Sequence, residues 1–202
     1  MIKKHRLLAI LLMLTVVLTM SFAAMPAYAA DGTAIKTADD LKAMENNPSG
    51  SYYLANDIEV PANLSLFTDS RTPFTGTLDG NGHTIKGLTV TRKQGKNTTV
   101  YGLFSEITKT AVFENITFED VSVSVELNND QNNQINYIGT FAGAVQSGAT
   151  FTGVTIKGAL TYNCFGRDLA DKLEVNDLFG EVDSGVDISG ITATVTATEV
   201  TG

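Results

Sequence analysis

The sequence predicts an all-β solenoid of about five coils, covered at its amino-terminal side by one helix, because a stacked-repeat fold leaves a fixed interval in the chain. Three observations carry this reading. Four segments share the order Gly/Asn, apolar, Thr, apolar: Gly87-Leu88-Thr89-Val90, Asn115-Ile116-Thr117-Phe118, Gly153-Val154-Thr155-Ile156 and Gly190-Ile191-Thr192-Ala193. Three phenylalanines, Phe104, Phe141 and Phe179, stand 37 and 38 residues apart and precede the last three of those segments. Tryptophan is absent and Gly and Thr are plentiful, which suits closely spaced strands joined by turns.

Residues 1–29 read as a secretory signal peptide, with Lys3, Lys4 and Arg6 before the apolar stretch Leu7 to Met20 and a small-x-small cleavage site at Ala27-Tyr28-Ala29. Residues 30–202 are expected to form a single domain, with 30–60 as the amino-terminal cap and first coil and 74–198 as the repeated coils. The whole chain carries 14 basic and 22 acidic residues, a net charge of −8; without the three basic residues of the leader the balance is 11 against 22, or −11. Such a charge repels nucleic acid and anionic lipid. The expected setting is therefore extracellular, secreted or on a cell surface, with no membrane span after the leader. Cys164, the only cysteine, has no partner for an intramolecular disulfide and is expected to be buried between Tyr162 and Phe165.

Taken in order, Thr37 to Met44 is the one clear helix. Thr37 can cap the amide of Asp40, Asp39 and Asp40 stand in the first turn, and Leu41 and Met44 share a face. Tyr52 to Val60 reads as a half-buried strand. Asp79-Gly80-Asn81-Gly82 is a tight turn between strands bearing Phe74, Leu78, Ile85, Leu88 and Val90, since Asp and Asn favour turns and Gly accepts positive φ. Coils follow at about 101–125, 137–162 and 177–198, the length that one supersecondary repeat occupies. Between them, Glu126 to Asn136 and Gly166 to Asn176 are expected to be outward loops, the second with a short helix through Leu169, Leu173 and Val175.

Tyr101-Gly102-Leu103-Phe104, Gly139-Thr140-Phe141-Ala142-Gly143 and Asp177-Leu178-Phe179-Gly180 resemble the Gly-Leu-apolar-Gly signature of the GLUG-motif repeats. The resemblance covers nearly all of Ile35 to Thr198. It implies a right-handed parallel β-helix of the kind found on bacterial surface proteins and adhesins, and it implies no activity. Two departures stand out: Ser105 where a final Gly is expected, and Thr140 in the place of Leu.

No catalytic constellation emerges from the residues. His83 is the only histidine after the leader, with no Gly-x-Ser-x-Gly elbow and no His-Glu-x-x-His motif, so a structural use outweighs a general base or a metal ligand. A carbohydrate-active enzyme, lyase or hydrolase, is the alternative, and would need carboxylates gathered on one face. The candidates Asp57, Asp79, Glu106, Glu114, Glu119, Asp120, Glu181, Asp183 and Asp187 are scattered along the chain. The expectation is a binding or structural module without a cofactor, whose partner is a protein or a glycan.

Thr89, Thr117, Thr155 and Thr192 form the candidate binding surface, an outward ladder at the strand spacing of about 4.8 Å. A companion column of Thr91, Glu119, Lys157 and Thr194 carries two charges, which argues against a regular ice-ordering face. After Ile191 the run Thr192 to Thr198 is uncharged and of high strand propensity, so self-association through this last coil is also expected.

Overall fold

The computed structural model describes residues 32–62, 64, 72–93, 98–127, 134–164 and 172–200. The chain divides into two compact units, Met1–Ala30 and Asp31–Gly202, and the described residues belong to the second. The proposed signal peptide lies outside them, as does the side chain of Cys164.

Seventeen strands account for nearly all regular structure among the described residues. They are β1 (Thr33–Ile35), β2 (Ser51–Leu54), β3 (Ile58–Glu59), β4 (Thr77–Asp79), β5 (Thr84–Lys86), β6 (Thr89–Lys93), β7 (Val100–Tyr101), β8 (Phe104–Ile107) and β9 (Val112–Glu114). The later ones are β10 (Thr117–Leu127), β11 (Asn136–Ile138), β12 (Ala142–Val145), β13 (Thr150–Thr152), β14 (Val154–Cys164), β15 (Leu173–Val175), β16 (Phe179–Val182) and β17 (Ile191–Glu199). Every pairing between them is parallel.

Four sheets result. Sheet 1 runs β1-β2-β4-β9-β13; sheet 2 runs β3-β5-β10-β14-β17, with β6 also on β10; sheet 3 is β8-β12-β16 and sheet 4 is β7-β11-β15. The segments 100–127 and 136–164 each visit sheets 4, 3, 1 and 2 in that order, and 173–199 revisits 4, 3 and 2. Parallel partners therefore come from successive segments and never from one hairpin, which accounts for the 37–38-residue interval of the sequence.

The helix α1 (Ala38–Ala43) is built as its sequence dictates. Thr37 accepts from the Asp40 amide at 3.1 Å while the Asp40 carboxylate accepts from the Thr37 amide at 3.0 Å, a reciprocal capping box. The Lys36 amide most of all, then the Thr37 side chain and the Thr37 amide, hold the Asp40 carboxyl below its ordinary range. Leu41 and Met44, the latter in the following 3-10 turn, are buried and join the core. The turn after β4 also follows expectation: Asn81 and Gly82 take positive φ, and Asp79 Oδ1 accepts from the Asn81 amide at 2.8 Å.

Inside, phenylalanines hold the sheets together. Phe113 lies within 5.0–5.7 Å, centroid to centroid, of Phe74, Phe104, Phe141 and Phe151, and Phe141 in turn touches Phe118 and Phe179. Stacked, tilted and edge-to-face ring contacts such as these add about 0.5–1.5 kcal/mol each beyond the burial of area.

Four expectations need correction. Tyr52 to Val60 is two strands, β2 and β3, separated by a bend after Leu54. The helix through Leu173 and Val175 is a strand, because Leu173, Glu174 and Val175 pair with Asn136, Tyr137 and Ile138. Likewise, the loop expected from Glu126 to Asn136 is strand at both ends: Leu127 closes β10 and Asn136 opens β11, where it is buried. Residues 128–133 and 165–171 of the two expected loops lie outside the described residues.

The fourth correction concerns register. Phe104 and Phe179 flank Ala142, not Phe141, whose backbone stands level with Leu103 and Leu178. All three phenylalanine rings are nevertheless buried and in contact, Phe141 at 5.4 Å from Phe104 and 6.1 Å from Phe179. Hence Thr140 does not replace Leu; Phe141 does, and Thr140 instead bonds the Asp177 carbonyl through its hydroxyl. Ser105, Gly143 and Gly180 follow as the aligned third position. A Cβ on Gly143 would fall 2.3 Å from the Tyr101 nitrogen, and one on Gly180 2.4 Å from the Ile138 nitrogen, because the sheet 4 strand of the preceding segment lies directly behind. No sheet 4 strand precedes β7 among the described residues, so position 105 accepts a side chain.

Candidate binding surface

Sheet 2 is the widest, since β10 and β14 run 11 residues each. A bulge in β10, where Asp120 takes positive φ, sets the inward phase on both sides: Phe118 and Val121 are both buried although three apart. It also lets β5 and β6 pair in tandem with the one strand β10.

This tandem pairing decides where the predicted ladder lies. Thr117, Thr155 and Thr192 are neighbours, as expected. Thr89 is not their continuation: it pairs with Ser122, and Thr84 occupies the place beside Thr117. The outward face thus holds one row of Thr84, Thr117, Thr155 and Thr192, and another of Thr89, Ser122, Ala159 and Thr196. Thr91 likewise sits beside Ser124 rather than Glu119.

Between these rows runs a charged one. Lys86 pairs with Glu59 on one side and Glu119 on the other, and Lys157 follows across β14. Lys86 Nζ lies 3.2 Å from Asp120 Oδ2, and Lys157 Nζ 4.0 Å from Glu119 Oε1. The hydrogen bond to Asp120 raises the Lys86 ammonium above its ordinary range, with the charges of Asp120, Glu119 and Glu59 adding to it. Opposite charges alternate from strand to strand, the arrangement in which cross-strand neighbours each contribute about 0.2–1 kcal/mol.

At the β3 edge of this face, Asp57, Ile58, Glu59, Thr84, Lys86 and Glu119 line an open cleft of about 350 Å³. Asp57 Oδ1 accepts from the Thr84 amide at 2.9 Å and lies 3.2 Å from His83 Nδ1. The Thr84 amide, then His83, holds the Asp57 carboxyl below its ordinary range. His83 is thereby a turn residue tied to Asp57, the residue just before β3, which is an acid partner for it. No group of three or more His, Cys, Asp or Glu stands together as a metal site among the described residues.

The remaining carboxylates are brought together in part. Asp79 and Glu114 are opposite one another in sheet 1, yet Asp79 is engaged in its turn. Glu106 and Glu181 flank Ala144, and Glu106 accepts from the Gln146 side-chain amide. Asp183 accepts from the Ser147 amide and Asp187 from the Ser189 amide; the Ser189 side chain, then its amide, holds Asp187 below its ordinary range.

Sequence reasoning missed Lys86, Glu59 and Arg92. The triplet Thr84-Ile85-Lys86 matches Thr155-Ile156-Lys157, a signal hidden by the competing match at 87–90. Arg92 occupies an inward position, buried, where the Nε and a terminal nitrogen donate to the carbonyls of Gly102 and Leu103 at 3.0 and 2.8 Å. Nothing in a Thr-Arg-Lys run announces that inward turn.

The fold and face define an all-β protein of parallel sheets with one broad, hydroxyl-rich, charge-striped surface, and no helix among the described residues is long and apolar enough to cross a membrane. The chain is similar to Halomucin of Haloquadratum walsbyi (strain DSM 16790 / HBSQ001), with 32% identity over 166 residues, or 74% of this chain. It spans 2% of the length of that relative. No family model matches the chain, and no solved structure matches it.

Proposed function

We propose that the chain is a secreted or cell-surface module, a right-handed parallel β-helix whose sheet 2 face binds a protein or glycan at that surface. The observation that carries this reading is the outward face of sheet 2, where a row of four threonines and a row of Thr89, Ser122, Ala159 and Thr196 flank a row of alternating charges. Rigid parallel strands hold these groups at a fixed spacing of about 4.8 Å, which suits recognition of a repetitive ligand. The β-helix is supported by the repeated visiting order of the four sheets and by the right-handedness of nearly all parallel crossovers. The Gly-Leu-apolar-Gly resemblance supports the same architecture and setting. Similarity to a protein named as a mucin supports a place at or outside a cell surface.

A glycan array, paired with capture of surface proteins, tests this. The chain should bind a restricted ligand set, and Thr155→Arg, at the centre of the face, should abolish that binding without altering the fold. Binding by neither route, or binding indifferent to Thr155→Arg, contradicts the proposal.

A further inference from the structure

We infer that strand β17 is a two-fold interface at which a second copy of this chain pairs antiparallel with it, centred on Val195. The inference rests on the edge position and sequence of β17, not on the ligand-binding reading of the opposite rows.

Among the described residues β17 pairs with β14 alone. Its inward column shows the consequence: Ile85, Phe118 and Ile156 are buried, while Ala193, next in the row, is exposed. Backbone direction can be read from two bonds. Val200 donates to Tyr162 on β14 at 2.8 Å, whereas Ala197 donates away from β14, to Asp177 Oδ1 at 3.0 Å. Amides alternate along a strand, so Ala193, Val195, Ala197 and Glu199 direct amide and carbonyl to the open side.

What the occupant is follows from the sequence. Thr192-Ala193-Thr194-Val195-Thr196-Ala197-Thr198 reads identically in both directions. Antiparallel pairing of two copies about Val195 sets Val195 against Val195, Ala193 against Ala197 and Thr192 against Thr198, with every threonine outward and every apolar side chain inward. Each opposed odd-numbered pair has its amides and carbonyls already aimed at the partner. Charge agrees: 191–198 carries none, and each Glu199 falls opposite Ile191, at the far end of the strand from its twin. The competing head-to-tail arrangement would match β17 to β3, only 2 residues long and bearing Glu59. A two-fold contact closes as a dimer, whereas head-to-tail stacking continues into a filament. Asp177 covers the Ala197 amide and must release it, so it opposes the dimer.

The test uses the full chain in sedimentation velocity. The unmodified protein should sediment as a dimer, and Val195→Pro should be monomeric: its amide faces the open side, where proline is tolerated on an edge strand. Asp177→Ala should strengthen association. Independently of whether Val195→Pro folds, Val195→Cys in a Cys164→Ser background should cross-link to itself on oxidation. Ala193→Cys should do so only when mixed with Ala197→Cys, since opposed Cα atoms in such a pair lie about 5.5 Å apart. A monomer at the highest soluble concentration, a dimer unaffected by Val195→Pro, or indiscriminate cross-linking overturns the inference.

Discussion

The column formed by Ile85, Phe118 and Ile156 and the strand β17 share one register, yet the first three residues are buried and Ala193 of β17 is exposed. The same contrast recurs at Val123 and Leu160, both at 0% exposure, against a half-buried Ala197. Burial here is conferred by neighbours on both sides of a strand rather than by the strand itself, as expected where each unit packs only on the next. Residue choice follows the same gradient, with large aromatics in the middle and alanine in β17.

That contrast can be broken hardest at Phe141, which is fully buried and touches the rings of Phe104, Phe113, Phe118 and Phe179. Phe141→Ala should cost about 3–5 kcal/mol by denaturant unfolding; Ala193→Ser, in the exposed strand, should stay within about 0.5 kcal/mol. Equal losses would mean that the middle and the edge are not differently packed.

A smaller effect separates the aligned positions 105 and 143. Gly143→Ala drives a Cβ into the backbone of β7 and should cost about 1–3 kcal/mol or more, as overpacking does. Ser105→Gly should cost less, since no sheet 4 strand stands behind it among the described residues. Thermal melts of the two variants decide the order.

The smallest effect is electrostatic. Asp57 has a lowered carboxyl, held chiefly by the Thr84 amide and then by His83. Its contribution is therefore present above the ordinary carboxylate value of 3.8 and is lost as pH falls through the lower folded value. Asp57→Asn should lower neutral stability slightly, leave stability at the acid extreme nearly unchanged and so flatten that limb of the profile; an unaltered limb would detach Asp57 from the turn.

Much of the architecture was legible because it rests on spacing. The segments ending in Phe104 and Phe179 repeat at the interval that parallel stacking imposes, and Thr37 with Asp40 spells its own cap. Less legible were features set by one inserted residue. The bulge at Asp120 lets one strand serve both Thr84 and Thr89, so the ladder through Thr117 could not be extended by pattern alone. Phe141 stands one place from the register of Phe104 because the second segment has an extra residue before its strand. Leu173 to Val175 reads equally as helix or strand, and only pairing with Asn136 to Ile138 decides it. The buried orientation of Arg92 depends on carbonyls of Gly102 and Leu103 that its own segment does not reveal.

Hydrogen exchange tests the central claim most directly, because local opening reports how many neighbours a strand has. In the Val195→Pro variant, to remove any contribution from a second copy, amides in 117–127 and 154–163 should exchange only with global unfolding, while those of Ala193 and Glu199, which face away from β14, should exchange far earlier. Uniform protection across all three strands, or earlier exchange in 117–127 than in 191–199, would contradict stacking as the source of order.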